Sequence, residues 1–534
     1  MKDTAKSLLF LTALATTTGA FAQSQYITPI EHVIIVIQEN RTPDNLFQDQ
    51  NLITKGADIR KASDAVAWPL ATCWDIGHSH KSWTTEYTYQ LNGQGFCGTN
   101  VAVPSSCQKP ACPQDSYAQN TAQDKTIQPY WDIAEAYGFA NYFFQTNQGP
   151  SFPAHQFLFS GTSAPVAYPI TGSSGSFPLY RDFDADNAGF TNSGCIATNT
   201  QSALASDIDP TGATGYYYTP PDPVPVLAGY PCYEHPTLSD QLEGAGLSWR
   251  YYGYNIDKGI WNTPTAIQHI CKGQPGGSCN GTDWNTHVDL YDWDIFNDIT
   301  VNCSLSSVSW VIPDGNYSDH PGGNNHGGPD WVANIVNAVG QSGCKNGDGS
   351  SYWNSTAIFI MWDDWGGFYD HVSPYEHLID NNNNCSVLGC GYVAGFRVPL
   401  LVVSAYTGTN TTGYISGPCQ SGVCSNNKPP YWHDFGSVLN FTQYVFSGFS
   451  GMTQGGIGPS NWLFDDYWAP DYWNNPKGDC TQQVCPYGLS DFFHFSQKRS
   501  FKKITAQTYQ GSDFVNLSAF GGMSASEAPD EETP

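Results

Sequence analysis

The 534-residue chain is poor in charge, above all in positive charge: 21 Lys and Arg stand against 48 Asp and Glu, a net charge of −27, and charged residues make up only 13%. A protein that tracks phosphate backbones needs a basic face, so nucleic acid is excluded as a partner and anionic membrane surfaces are disfavoured. No apolar run reaches the ~20 residues of a membrane-spanning helix, which leaves no stable membrane anchor. No Cys-x-x-Cys pair is present, so a structural zinc site lacks ligands at the usual spacing. The Gly-x-Ser-x-Gly elbow of the α/β-hydrolases is also missing. No segment repeats at a period of about 20 to 50 residues, which excludes solenoids and propellers. Nothing in the sequence marks a protein partner.

Aromatic residues are plentiful at 14%, with 17 Trp and 31 Tyr, and this apolar area excludes intrinsic disorder. At the N-terminus, Lys2 and Lys6 precede an apolar stretch from Leu8 to Ala15, and Ala20-Phe21-Ala22 supplies small residues where a signal peptidase reads. Residues 1–22 are therefore expected to be an export signal cleaved after Ala22, with the protein secreted or periplasmic. All 16 cysteines follow it, an even number that reads as disulfides in an oxidising compartment. Five sets lie close in sequence: Cys107 and Cys112, Cys271 and Cys279, Cys385 and Cys390, Cys419 and Cys424, Cys480 and Cys485. They are expected to staple long surface loops, with connectivity left open.

Three short apolar runs, 32–37, 357–362 and 398–403, are continuous and rich in β-branched residues, as strands buried on both faces are. Val308 to Ile312 is a fourth candidate. Helical spacing marks Thr237 to Ala245, Asp330 to Val339 and Ser437 to Val445. Strands alternating with helices predict an α/β fold with a mostly parallel central sheet covered by helices on both faces. The stretches 46–130, 170–235, 255–300 and 375–432 are expected to be long loops. A single catalytic domain over 23–520 and an acidic disordered tail over 521–534 complete the organisation.

The first strand runs into Glu39-Asn40 and the second into Asp363-Asp364-Trp365-Gly366-Gly367. Open α/β sheets bind ligands beyond the carboxyl ends of their strands. An isolated Asp-Asp there reads as a turn cap. With Glu39 and Asn40 delivered in the same way, Glu39, Asn40, Asp363 and Asp364 read instead as a hard, oxygen-rich site for one or more divalent metal ions. Histidines gather in polar loops: His78 and His80, His320 and His326, and His371. With Lys and Arg scarce, imidazole is the remaining group to meet an anion. In Gln148-Gly149-Pro150-Ser151-Phe152-Pro153-Ala154-His155, the rigid Gly149-Pro150 lead presents Ser151 as a nucleophile candidate, although such a serine also suits a plain turn.

These residues carry a resemblance. The segments Glu31 to Asp44, Gly149-Pro150-Ser151-x-Pro153, Leu238 to Tyr252, Ser318-Asp319-His320-Pro321, Trp362 to Val372 and Gly395-Phe396-Arg397-Val398-Pro399 resemble, in order from about residue 28 to 446, a secreted phosphoesterase family. That family contains bacterial phospholipases C and acid phosphatases of the alkaline-phosphatase-like superfamily. The resemblance implies an alkaline-phosphatase-like fold, a Glu39-Asn40 and Asp363-Asp364 metal set, and Ser151 as nucleophile of a phosphoserine route. It also implies phosphate contacts from His78, in Asp75-x-x-His78, and from His320. Where many members carry Pro-Asn-Arg after the nucleophile, this chain has Pro153-Ala154-His155, so that substrate-binding role is expected to pass to His155. His371 is a further substrate-binding candidate.

The function expected is hydrolysis of a phosphate ester, either a phospholipid-type diester or a small monoester. A sulfate ester on the same fold is an alternative. Trp261, Trp284, Tyr291 and Trp293 suit either an apolar rim for substrate or packing of the loops. A non-enzymatic glycan-binding module would also use Trp, Tyr and sequons such as Asn280, Asn316, Asn354, Asn410, Asn440 and Asn516, and predicts no metal at the four acidic and amide positions. A glycoside hydrolase predicts two carboxyls facing each other across a cleft, about 5 to 9.5 Å apart.

Overall fold

The computed structural model describes residues 25–98, 101–163, 194–197, 232–253, 261–323, 326–374, 393–421, 423–424, 431–452 and 489–507, with the backbone of four strands between 167 and 228. The segments expected to be an export signal, 1–22, and an acidic tail, 521–534, lie outside the described residues. Eight strands form the central sheet: β1 (His32–Gln38), β2 (Gly138–Ala140), β3 (Trp249–Gly253), β4 (Val288–Asp289), β5 (Val308–Ile312), β6 (Thr356–Trp362), β7 (Leu400–Ser404) and β8 (Tyr414–Ser416). Their order is β4-β3-β5-β1-β6-β7-β2-β8. β1 and β6, the two apolar runs that precede the acidic motifs, are central neighbours paired in parallel over seven residues. β1 and β5 are parallel as well. Only β7 is reversed, antiparallel to both β6 and β2. The chain leaves β6 at the carboxyl end of the sheet with Asp363 and Asp364, and β7 starts from that same end and runs back.

Six helices of functional interest are α1 (His80–Leu91), α2 (Gln128–Ala136), α3 (Ser151–Ser160), α4 (Leu238–Gly244), α5 (Gly328–Gln341) and α6 (Phe435–Val445). They cover both faces. On β6, Phe359 meets Phe441 of α6 with ring centres 5.2 Å apart, while Trp362, an odd number of residues on and so on the opposite face, meets Tyr130 of α2 at 5.0 Å. On β5, Trp310 packs on Phe159 of α3 at 4.8 Å and donates its indole N–H to the Leu158 carbonyl. α3 is thereby pinned against the sheet with all ten residues buried.

Three expectations about the loops need correction. The stretch 46–130 contains α1, whose buried residues are only His80, Trp83 and Glu86, so its sequence shows no apolar stripe. The stretch 255–300 holds two short helices, Thr282–His287 and Asp294–Thr300. Within 170–235 the chain builds strands of a four-stranded antiparallel sheet. Among the cysteines, Cys271–Cys279 and Cys419–Cys424 pair as neighbours, but Cys107 and Cys112 do not pair with each other. Cys107 joins Cys73 and Cys112 joins Cys97, because the strand pair Asp75–Ile76 and Val101–Ala102 brings distant parts of the loop together. Cys195–Cys232 and Cys303–Cys344 complete the six disulfides among the described residues, while Cys385, Cys390, Cys480 and Cys485 lie outside them. Of the sequons, Asn440 sits inside α6 at 1% exposure, where no glycan fits while the protein is folded.

Candidate active site

Beyond the carboxyl ends of β1 and β6 the two chains stay laced together. Asp363 donates its N–H to the Gln38 carbonyl at 2.9 Å, and Arg41 donates to the Asp364 carbonyl at 3.0 Å. Asn40 takes φ +62°, a left-handed conformation that Asn tolerates better than most residues. A Cβ on Gly366, itself at φ +61°, would lie 2.3 Å from the Asn40 carbonyl oxygen, so only glycine permits this approach. Backbone donors then fix one oxygen of each aspartate. Asp363 Oδ1 accepts from the N–H groups of Asn40 and Asp364 at 3.0 and 2.8 Å, and Asp364 Oδ1 accepts from Gly366 at 2.7 Å.

The remaining oxygens converge on the N-terminus of α3. Ser151, its first residue, places Oγ 3.2 Å from Glu39 Oε2 and 3.1 Å from Asp364 Oδ2. One turn on, His155 Nε2 lies 2.9 Å from Glu39 Oε1 and 3.6 Å from Asp363 Oδ2. Residues four apart on a helix share a face, which is why both reach the cluster. All of these side chains are buried. Burial, reinforced by the charges of Asp363 and Asp364, pushes the Glu39 carboxyl well above the ordinary carboxylate range. Burial works the same way on Asp363, but the adjacent His155 imidazole outweighs it and holds that carboxyl below its usual range.

Three carboxylates in one buried site are costly unless a positive charge joins them. The cluster also leaves Asn40 Oδ1 and Asp363 Oδ2 buried without a hydrogen-bond partner among the described residues, and Glu39, His155 and Asp363 offer ligand atoms within 4.8 Å of one another. Oxygen donors of this number with one imidazole nitrogen fit a divalent cation. His155, a substrate-binding candidate in the sequence, is placed by the structure against the carboxylate cluster, at Glu39 and Asp363. The signal that would have found this is the Ser151-x-x-x-His155 spacing, meaningful only once the segment is known to be helical.

His78 and His320 line the other side. His78 Nδ1 donates to the Ile76 carbonyl at 2.7 Å, and its Nε2 lies 2.9 Å from Asn40 Nδ2. The His320 ring is 6.0 Å from that of His78, with Nδ1 donating to the Pro321 carbonyl at 2.6 Å. Burial and the neighbouring His78 lower its pKa to about 4. His80, the first residue of α1, donates from Nδ1 to the Gln148 carbonyl at 2.6 Å and so steadies the lead into Ser151. His326 is exposed.

His371 is placed elsewhere. It bridges Asp44 and Asp58, with 2.9 Å contacts from Nδ1 and Nε2, and these carboxylates outweigh burial to raise its pKa to about 10. Beside it, fully buried Arg397 pairs with Asp370 at 2.8 Å and with Asp44 at 3.3 Å and donates to the Asp58 and Asn141 carbonyls. This charge network, which sequence reasoning missed, ties the segment after Asn40 to the segment after Asp364. His371, a substrate-binding candidate in the sequence, sits within this network, on Asp44 and Asp58.

The fold and this cluster define an α/β protein with a serine at a helix N-terminus inside a candidate divalent-metal centre. The phosphoesterase family profile matches residues 30–447, and the chain belongs to the phosphoesterase family. Among curated proteins it is similar to the non-hemolytic phospholipase C of Pseudomonas aeruginosa, 26% identical over 363 residues that make up 65% of this chain and 43% of that protein. It is likewise similar to phospholipase C A of Mycobacterium tuberculosis, 23% identical over 414 residues, 73% of this chain and 70% of that protein. The chain thus spans less than half the length of the Pseudomonas relative.

Proposed function

We propose that this protein is an exported, metal-dependent phosphoesterase that cleaves phospholipase C-type phosphodiesters through Ser151. The observation that carries the proposal is the Ser151 hydroxyl at the head of α3, held between Glu39 and Asp364 at 3.2 and 3.1 Å. Glu39, Asn40, Asp363 and Asp364, with His155, would hold the cation, whose charge offsets the carboxylates and polarises a phosphoryl oxygen. Ser151 Oγ attacks phosphorus, its proton passing to a carboxylate it already donates to, and the ester oxygen leaves as the alcohol with a proton returned from that carboxylate through solvent water, while His78 and His320 line the phosphoryl side of the site. Water then cleaves the Ser151 phosphoester, releasing the phosphomonoester of the retained alcohol and freeing Ser151. The N-terminal end of α3 favours the developing negative charge. Disulfides among the described cysteines support an oxidising compartment, and no described helix is long and apolar enough to cross a membrane. The names of the relatives favour a diester over a monoester substrate. Carboxylates converging on one hydroxyl speak against a glycoside hydrolase, which keeps its pair apart across the sugar.

The test is to assay purified protein, after chelation and after return of each divalent cation, on a chromogenic phosphocholine diester, a phosphomonoester and a sulfate ester. Cation-dependent release from the diester, lost in Ser151→Ala, is the expected result. A preference for the monoester or the sulfate ester overturns the substrate assignment, and full activity of Ser151→Ala overturns the covalent route.

A further inference from the structure

Trp261, half-buried, lies beside the carboxylate cluster. Its ring lies nearly parallel to that of His155, centres 6.5 Å apart and planes 17° apart, and 5.9 Å from that of His320. His320 in turn meets His78. A continuous file of rings, His155, Trp261, His320 and His78, thus borders the cluster, and its two ends touch Glu39 and Asn40. The indole is held in place rather than draped: buried Tyr251 on β3 donates its hydroxyl to the Trp261 carbonyl at 2.6 Å, and Thr263 donates to the His155 carbonyl at 2.8 Å. Trp365 offers a contrast. It also faces His78, but it is wholly buried and its N–H is bound to Glu86 at 2.7 Å, so it supports the site without reaching a ligand. Trp261 is only half-buried, and its indole nitrogen is buried with no hydrogen-bond partner among the described residues.

We infer that Trp261 is a substrate-contact residue, the wall against which the organic group of the phosphate ester packs. Phosphoryl oxygens are the business of the cluster and the histidines. An indole offers them little, yet its face attracts apolar and cationic groups, and the strongly acidic chain favours cationic ones. Trp261 therefore sets which esters bind rather than how fast phosphorus reacts. The inference rests on the phosphoesterase reading of the site.

Calorimetric titration of the metal-loaded full chain with inorganic phosphate and with phosphocholine tests it. Trp261→Ala is expected to weaken phosphocholine about tenfold, the order of a desolvated cation–π contact, with phosphate within about twofold, and Trp261→Phe to keep most of the affinity. In turnover of a phosphocholine diester the loss appears in KM, with kcat little changed. Equal weakening of phosphate and phosphocholine overturns the inference, since Trp261 would then only shape the histidines. Unchanged phosphocholine binding overturns it too. Wild-type protein that binds neither ligand removes the phosphoesterase reading itself, a failure distinct from the other two.

Discussion

Replacing Glu39 by Gln removes one of three carboxylates from a buried cluster and separates the cost of that cluster from its use. The Ser151 hydroxyl lies 3.2 Å from Glu39 Oε2 and 3.1 Å from Asp364 Oδ2, so those two oxygens are no more than about 6 Å apart. Two unit charges at that distance repel by about 3 kcal/mol at an effective dielectric of 20. With cations removed, Glu39→Gln is expected to stabilise the fold by up to that amount. Unfolding a chain of this length releases roughly 1 kcal/mol of entropy per degree, so Tm rises by about 2–3 °C. The sign with pH follows from the raised Glu39 pKa: the native state binds the proton more tightly than the unfolded chain, so its penalty appears as pH rises and fades in acid. The gain is therefore larger at pH 8 than at pH 5. A cation at about 100 times its Kd stabilises the wild type by about 2.7 kcal/mol, and loss of the Glu39 ligand should remove most of that shift. Scanning calorimetry in chelator and in each divalent cation reads both effects. A lower Tm of the variant in chelator, or an undiminished cation shift, refutes the reasoning.

Other perturbations follow from the same geometry. Gly366→Ala forces a Cβ to within 2.3 Å of the Asn40 carbonyl in a left-handed conformation; with strain of about 1–3 kcal/mol, both Tm and cation affinity by calorimetry should fall. Arg397→Met leaves buried Asp370 without its cation and Asp44 with His371 alone, and chemical denaturation should show a loss of about 3–5 kcal/mol. Because His371 is raised from 6.5 to about 10 in the fold, its contribution is complete below about pH 6.5 and gone near pH 10, so the stability gap between wild type and His371→Gln should close over that range. Replacing Cys97 and Cys112 by Ser opens a loop closed by a bond of sequence separation 15, with an expected cost of about 3 kcal/mol by denaturant titration.

β1 and β6 were legible because strands buried on both faces must be apolar throughout, and their acidic termini marked the site. α3 was not, for the opposite reason: with all ten residues buried, Ser151-Phe152-Pro153-Ala154-His155-Gln156-Phe157-Leu158-Phe159-Ser160 has no polar face to reveal a helical period. Pro153 falls in the first turn, where it is tolerated, yet in the sequence it reads as a break. Without the helix, the shared face of Ser151 and His155 stayed hidden. His371 could be singled out as a histidine in a polar loop, but its partners Asp44 and Asp58 lie more than 300 residues away in the chain, and no local pattern announces a pairing at that range. Cys107 and Cys112 show the converse error, in which nearness in sequence outweighed the strand pair that carries each cysteine to another partner.

The most direct test is to quench the metal-loaded enzyme in acid during turnover of a phosphodiester and to weigh the peptide that holds Ser151. A phosphoryl adduct on Ser151 that still carries the retained alcohol of the diester, absent when the cation is chelated, is the predicted result. Steady hydrolysis with Ser151 never phosphorylated would contradict the role assigned to that hydroxyl between Glu39 and Asp364.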